Sequence, residues 1–153
     1  MPDSLGIAIN ASGWVSVEYA KAITRNPRAH LVGITSRNLD NARRFVAELG
    51  LDCTVFPDYE ALLADSRVGA VVITTPNYLH ASDAIAACKA GKHIILEKPP
   101  AITQDECDAL QAAVEQAGIT SVVGFVLRWN PLVTNIRALQ DQGALGDIIF
   151  AQT

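Results

Sequence analysis

The sequence predicts an α/β fold, a doubly wound parallel sheet. Two observations carry this. Short Val- and Ile-rich runs alternate with helical patterns from one end of the chain to the other. The runs are mostly apolar on both faces, as strands are when helices cover a parallel sheet on both sides. Strand–helix–strand order of this kind implies right-handed βαβ units.

The elements follow in order. The first run is Leu5–Ile9, and the turn Asn10-Ala11-Ser12-Gly13-Trp14-Val15 leads from it into a helix. The second run is Leu31–Thr35. Asn38 then caps a helix whose inner face is Ala42, Phe45, Val46 and Leu49, and Gly50 stops it. Thr54–Phe56, Ala70–Thr74 and His93–Leu96 are the next three strands. Thr103 followed by Glu106 is a capping box. It opens a helix with Cys107, Leu110, Val114 and Ala117 on one stripe, closed by Gly118. Ser121–Leu127 is the sixth strand. Asn130-Pro131 is an N-cap with proline at the first helical position.

Turn signals end that last helix near residue 142. Gly143-Ala144-Leu145-Gly146 is a turn, and Asp147–Thr153 has strand character, with Ile148 and Phe150 on one face and Ile149 and Ala151 on the other. This tail is not expected to become a seventh strand of the sheet. It is expected to be disordered or to pair with a neighbouring molecule, giving a homodimer through the C-terminal strand.

Of the 153 residues, half are hydrophobic and 18% are charged. This is a globular composition with a sizeable core. The net charge of −4, with no long Lys/Arg run, argues against nucleic acid as a partner. No apolar run reaches membrane-spanning length, and Met1-Pro2-Asp3-Ser4 lacks the form of a signal peptide. A soluble, cytoplasmic protein with no membrane partner is expected. Cys53, Cys88 and Cys107 are odd in number and form no C-x-x-C, so buried free thiols are expected. His30, His80 and His93 lack metal-ligand spacing, and no metal is expected.

The first strand-to-helix turn is an anion site through its backbone N–H groups and the helix dipole. A dinucleotide turn reads G-x-G-x-x-G there: one glycine for the tight turn, one for room beside the pyrophosphate, one for close packing. The three positions here hold Asn10, Ser12 and Val15. Asn10 is the most plausible non-glycine for a positive φ. Ser12 can cap the helix but occupies pyrophosphate space, and Val15 should push the helix off the strand. Gly13 partly restores freedom. Taken alone, the turn fits either a dinucleotide site or a plain structural turn. Asn10-Ala11-Ser12 also fits a glycosylation sequon, without a secretory signal to support it. A nucleophile elbow at Ser12 would need glycines where Asn10 and Trp14 stand.

Four later segments point further. They are Thr75-Pro76-Asn77-Tyr78-Leu79-His80, Ala90-Gly91-Lys92-His93, Glu97-Lys98-Pro99, and Val122–Pro131 with its Arg128-Trp129-Asn130-Pro131. Together they resemble the cofactor domain of the glucose–fructose oxidoreductase / inositol dehydrogenase family (Gfo/Idh/MocA). The resemblance covers essentially the whole chain, and the glycine turn is its one clear departure.

The resemblance implies a Rossmann-like dinucleotide-binding domain over residues 1–142. Residues 143–153 would be the turn and first strand of a second, substrate domain that is absent from this sequence. It implies the cofactor-binding half of an NAD(P)-dependent oxidoreductase, inactive without that second domain. The hydride would pass between nicotinamide and a hydroxyl or carbonyl of a small-molecule substrate, a sugar, cyclitol or related compound. Lys98 is the implied catalytic residue, beside the nicotinamide. There an ammonium polarises a carbonyl or relays a proton, and partial burial would help it do so.

Candidate cofactor-binding residues are Asn10, Ser12, Gly13 and Trp14 of the first turn, with Thr75, Pro76 and Asn77. His80 either belongs with them or is a structural residue of its helix. Glu97 either orients Lys98 or faces solvent. Arg128 and Trp129 lie on the substrate side in the family, or are an edge arginine and a packed indole. After the second strand, Ser36-Arg37 stands where NAD-binding chains usually carry an acid. A hydroxyl and a guanidinium suit a 2′-phosphate, so NADP is preferred over NAD, with Arg43 and Arg44 adding positive potential. Arginine is also a common loop residue. The alternative reading is a non-catalytic nucleotide-binding or regulatory module that keeps the fold.

Overall fold

Six parallel strands form one sheet in the order β3-β2-β1-β4-β5-β6 in a computed structural model that describes residues 4–150. The strands are β1 (Leu5–Asn10), β2 (Ala29–Thr35), β3 (Thr54–Val55), β4 (Ala70–Ile73), β5 (His93–Leu96) and β6 (Ser121–Val123). The helices are α1 (Trp14–Arg25), α2 (Leu39–Glu48), α3 (Tyr59–Ala64), α4 (His80–Lys89), α5 (Gln104–Ala117) and α6 (Pro131–Asp141). Short 3₁₀ turns lie at Asn77–Leu79 and Val126–Trp129. The doubly wound parallel sheet is therefore present, in the strand order of dinucleotide-binding domains.

The apolar character of both strand faces finds its explanation in two cores. Ile7, Ile9, Ala70 and Val72 face Ala20 and Ile23 of α1 and Ala42 and Phe45 of α2. Ala8, Val71 and Ile73 face Leu62 of α3, Ala84 and Ala87 of α4 and Leu110 of α5. Each of the larger of these side chains (Ile, Val, Leu, Phe), fully buried, contributes about 1.5–3 kcal/mol. Winding reverses between β1 and β4, so the loops leaving their C-terminal ends diverge and open a crevice.

The caps form as the sequence predicts. Asn38 accepts from the Asp40 N–H, Asn130 from the Leu132 N–H, and Thr103 and Glu106 complete a capping box. Gly50 and Gly118 adopt positive φ at helix ends. Lys92, from the Ala-Gly-Lys-His stretch, donates from Nζ to the carbonyls of Asp65 (3.0 Å) and Val68 (2.8 Å), tying the loops at the N-terminal edge of the sheet.

Two expectations need correction. The sixth strand stops at Val123 and not at Leu127. The Gly124 N–H still reaches the Leu96 carbonyl (2.8 Å), but the chain then turns on itself, with Phe125 N–H bonded to the Val123 carbonyl. Apolar runs alone do not distinguish a strand from an exposed apolar turn. Ala117 is exposed, and Ala113 packs against the core beside Leu110 and Val114. Residues Asp147–Phe150 are exposed and join no strand of this sheet, in line with a tail that is not its seventh strand. Residues 151–153 of that predicted strand lie outside the described residues.

Candidate functional site

At the crevice, three loops meet around a cleft of about 460 Å³. The β1 turn supplies Asn10–Gly13, the β2 loop Ser36–Asn38, and the β4 loop Thr74–Pro76. The sequence-predicted residues Asn10, Ser12, Gly13, Ser36, Arg37, Thr75 and Pro76 are thus brought together. A second cleft of about 610 Å³ lies on the other side of the same turn, walled by Trp14, Val15, Tyr19, Glu97, Lys98 and residues 124–127. It brings Trp14, Glu97 and Lys98 together. Asn77 is exposed at the start of a 3₁₀ turn, His80 is buried, and Arg128 is exposed and lines neither cleft. Trp129 is 72% exposed, so it is not a packed indole.

The glycine-poor turn solves its steric problem differently from the expectation. Asn10 keeps an ordinary strand φ, and the positive φ of 106° falls on Ala11. Asn10 is buried because its side-chain amide donates to Asp83 Oδ2 (3.2 Å). Ser12 does not cap α1. Its Oγ donates to Ser36 Oγ (3.1 Å), joining the first and second loops. Gly13 is the N-cap, with φ −76° and ψ 175°, a conformation that any residue adopts. Its glycine freedom is therefore unused. Val15 does not press the strand. It lines the second cleft, while Ser16 is fully buried and its Oγ lies 2.8 Å from Thr74 Oγ1. A small residue does stand at the helix–strand contact, one position later than the motif places it.

With no side-chain cap on α1, its first N–H groups remain for an anion or water. Arg37 is exposed on the rim and makes no ion pair among the described residues. Arg43, by contrast, pairs with Asp40 at 2.8 Å, which offsets the positive potential expected of it. Arg44 lines a groove with Ser12 and Gly13.

Behind the first cleft lies a polar network that the sequence reading did not single out. Asp83 of α4 accepts from Asn10 and from Thr75 Oγ1 (2.8 Å), and Tyr59 donates its hydroxyl to the Asp83 carbonyl (2.9 Å). Burial pushes the Asp83 carboxyl up, while the Thr75 hydrogen bond, the His80 charge and the Asn10 hydrogen bond oppose it. Burial, then the Asp83 charge and Cys88, hold the Tyr59 phenol well above its ordinary value. Only the helical spacing of Asp83 after the Thr75 turn could have hinted at this, and an acid on a helix usually reads as solvated.

In the second cleft, Glu97 accepts from Tyr19 Oη (2.8 Å) and from the Lys98 backbone N–H (3.2 Å). Of the two readings for Glu97, neither is met in full: it holds the lysine's backbone and not its ammonium. Burial first, then Glu97, pushes the Tyr19 phenol far up, so it remains a donor. Gly124 leaves room for this pair, since a Cβ would stand 2.9 Å from Glu97 Oε1 and 3.0 Å from the Tyr19 hydroxyl and would displace the side-chain tips. Lys98 itself is exposed, without the expected partial burial, and precedes a cis peptide bond to Pro99.

The model of the Gfo/Idh/MocA oxidoreductase family, NAD-binding Rossmann fold, matches residues 5–125. The chain belongs to this family. It is 27% identical to the 2,7-anhydro-N-acetylneuraminate hydratase of Mediterraneibacter gnavus over 98% of its own length and 39% of that protein. Scyllo-inositol dehydrogenase from Lactobacillus casei, solved with NAD(H) and scyllo-inositol, superposes with a TM-score of 0.87 at 28% identity, over 95% of this chain and 43% of that one. The 3-ketoreductase KijD10 from Actinomadura kijaniata, solved with NADP, gives 0.83 at 26%, over 95% and 46%. The chain thus spans about two fifths of the Gfo/Idh/MocA proteins it matches. It is an NAD(P)-binding Rossmann domain of that family. No helix among the described residues is long and apolar enough to cross a membrane.

Proposed function

We propose that this domain holds the dinucleotide of an oxidoreductase acting on a hydroxyl or carbonyl of a sugar, cyclitol or related compound, and that it prefers NADP. One observation carries the reading: the cleft joins a helix N-terminus without a side-chain cap to Ser36 and to Arg37, which makes no ion pair among the described residues. The donor set fits the group. The first N–H groups of α1 suit a pyrophosphate, and Ser36 with the Arg37 fork suits a 2′-phosphate. When bound, the nicotinamide supplies or accepts the hydride. Lys98, on the far side of the same turn, holds or delivers the proton at the substrate oxygen. Glu97 and Tyr19 fix the backbone at its root. Thr75 and Pro76 shape one wall of the first cleft, and Asn77 follows them in the same loop.

We place the domain boundary near residue 142, where α6 ends and Gly143 and Gly146 turn at positive φ. The apolar residues Ile148, Ile149 and Phe150 beyond it suit pairing with another strand, in a homodimer or a further domain. The substitutions at Asn10, Ser12 and Val15 favour a second reading, a nucleotide-binding module without turnover.

Calorimetric titration of the chain with NADPH and NADH tests the proposal. A charge-assisted phosphate contact contributes roughly 1.5–3 kcal/mol, so NADPH is expected to bind about ten- to a hundredfold tighter. Arg37→Ala should erase most of that difference. Equal affinities, or an NADH preference untouched by Arg37→Ala, would overturn the NADP assignment.

A further inference from the structure

The proposed chemistry leaves His80 unused, although it is among the most completely buried polar side chains, at 1% exposure. It opens α4 between two functional loops. Nδ1 lies 2.7 Å from the Pro99 carbonyl oxygen, and Nε2 lies 2.7 Å from the Thr75 carbonyl oxygen. A carbonyl oxygen only accepts. A neutral imidazole has one N–H and one lone pair, so it satisfies one contact and turns a lone pair on the other. Exchanging tautomers moves the conflict from one carbonyl to the other. Two hydrogens on the ring remove it. A buried cation also needs a counter-charge. Asp83 stands three residues along the same helix, held by Asn10 and Thr75. Tyr59, packed there from α3, gives its hydroxyl hydrogen to the Asp83 carbonyl oxygen and remains neutral.

We propose that His80 is an imidazolium clamp, which donates from both ring nitrogens and fastens the loop carrying Lys98 to the loop carrying Thr75-Pro76-Asn77. Pro99 follows Lys98 directly, so the clamp fixes the root of the lysine relative to the nucleotide wall. His80 is a positioning residue in this role. Its consequence for the reaction rests on the reading of Lys98 given above, whereas the clamp stands on the geometry of the chain alone.

Histidine-selective ¹⁵N labelling of the unaltered chain tests the protonation. A long-range proton–nitrogen spectrum near neutral pH shows an imidazolium as two ring nitrogens of similar, protonated type. A neutral ring shows two widely separated ones. His30→Gln and His93→Gln variants assign the signals by elimination. An imidazolium pattern is expected for His80, and a neutral pattern overturns the clamp. The positioning role is tested by following backbone amides while NADPH is added. In the unaltered chain, Thr75 and Asn77 should shift together with Lys98 and Ala101, at one midpoint. His80→Gln offers one donor group and one acceptor, so Thr75 and Asn77 should still respond while the Lys98 and Ala101 shifts fall at least twofold. Undiminished response at both loops refutes the coupling. If NADPH moves no amide in either protein, the cofactor reading fails, and the ring nitrogens still decide the clamp.

Discussion

The centre of this sheet's C-terminal edge and its β6 end are built on opposite principles. Around β1 and β4, polar side chains are buried and bonded to one another: Asn10 to Asp83, Thr75 to Asp83, Ser16 to Thr74, His80 to two carbonyls. Beyond β6, large apolar side chains stand in the open, with Val126 at 71%, Trp129 at 72% and Leu132 at 67% exposure. The first region satisfies its hydrogen bonds internally. The second presents Leu132, Ile136 and Leu139 of α6 as an apolar stripe that the sheet does not cover. Structure in the first region is held by the chain's own groups, and in the second by local caps such as Asn130.

Mutations in the two regions should separate accordingly. The largest effect is expected from Ile73→Ala, which empties a fully buried site under the first region and should cost about 2–5 kcal/mol in denaturant unfolding. Leu132→Ser, equally drastic in chemistry, should change stability by about 0.5 kcal/mol or less, because the side chain is already in water. A cost near that of Ile73→Ala would mean that α6 is packed in solution and that the contrast is false.

Next in size is the polar network. Asp83→Ala leaves Asn10 and Thr75 without their shared acceptor and should cost about 1–3 kcal/mol. Its charge adds a pH signature. The folded Asp83 carboxyl lies above the ordinary value of 3.8, chiefly because of burial. The unfolded chain therefore releases this proton first, and stability falls as pH rises from about 3.8 through the folded value. Asp65 runs the other way. Hydrogen bonds from Arg67 lower it to about 2, so its contribution is present above 3.8 and is lost as pH falls toward 2. Urea midpoints measured from pH 2 to 7 should lose the first trend in Asp83→Asn and the second in Asp65→Asn. Unaltered profiles would remove these groups from the account.

The smallest effects concern the turn itself. Ala11 holds a φ of 106°, where glycine is at ease and alanine is strained. Gly13 holds a φ that alanine adopts freely, with nothing within 4 Å of where its Cβ would stand. Ala11→Gly should thus stabilise by about 1 kcal/mol and Gly13→Ala by about 0.4–1 kcal/mol. A loss of stability in either would place the strain elsewhere.

These residues also show where sequence reading succeeds. Strands β1 to β5 were legible because strands covered on both faces are apolar throughout, and the capped helices because Asn38, Thr103, Glu106 and Asn130 act within one turn of chain. The cleft was legible as loops at strand ends. The network behind it was not, because Asp83 meets Asn10 across 73 positions and nothing local in either residue marks the pairing. The exposed sixth run misled for a physical reason: Val126 and Leu127 have strand chemistry, but the backbone N–H groups of Phe125 and Val126 bond back to the Val123 and Gly124 carbonyls, and the chain turns away there.

Strand β5 has a lysine just before its first residue and another two residues after its last. The ammonium of Lys92 is committed to the carbonyls of Asp65 and Val68, whereas that of Lys98 stands exposed beside a cleft. An amine already stitched to two backbone oxygens is a poor nucleophile toward an acylating reagent, and a solvent-facing one is a good target. Brief acylation at low reagent excess should therefore mark Lys98 well before Lys92. This leaves the staple at one end of the strand intact while the other end is tagged, so in a chain whose exposed Lys21 and Lys89 are replaced by arginine, a short reaction can install a reporter at the second cleft without loosening the sheet that carries it.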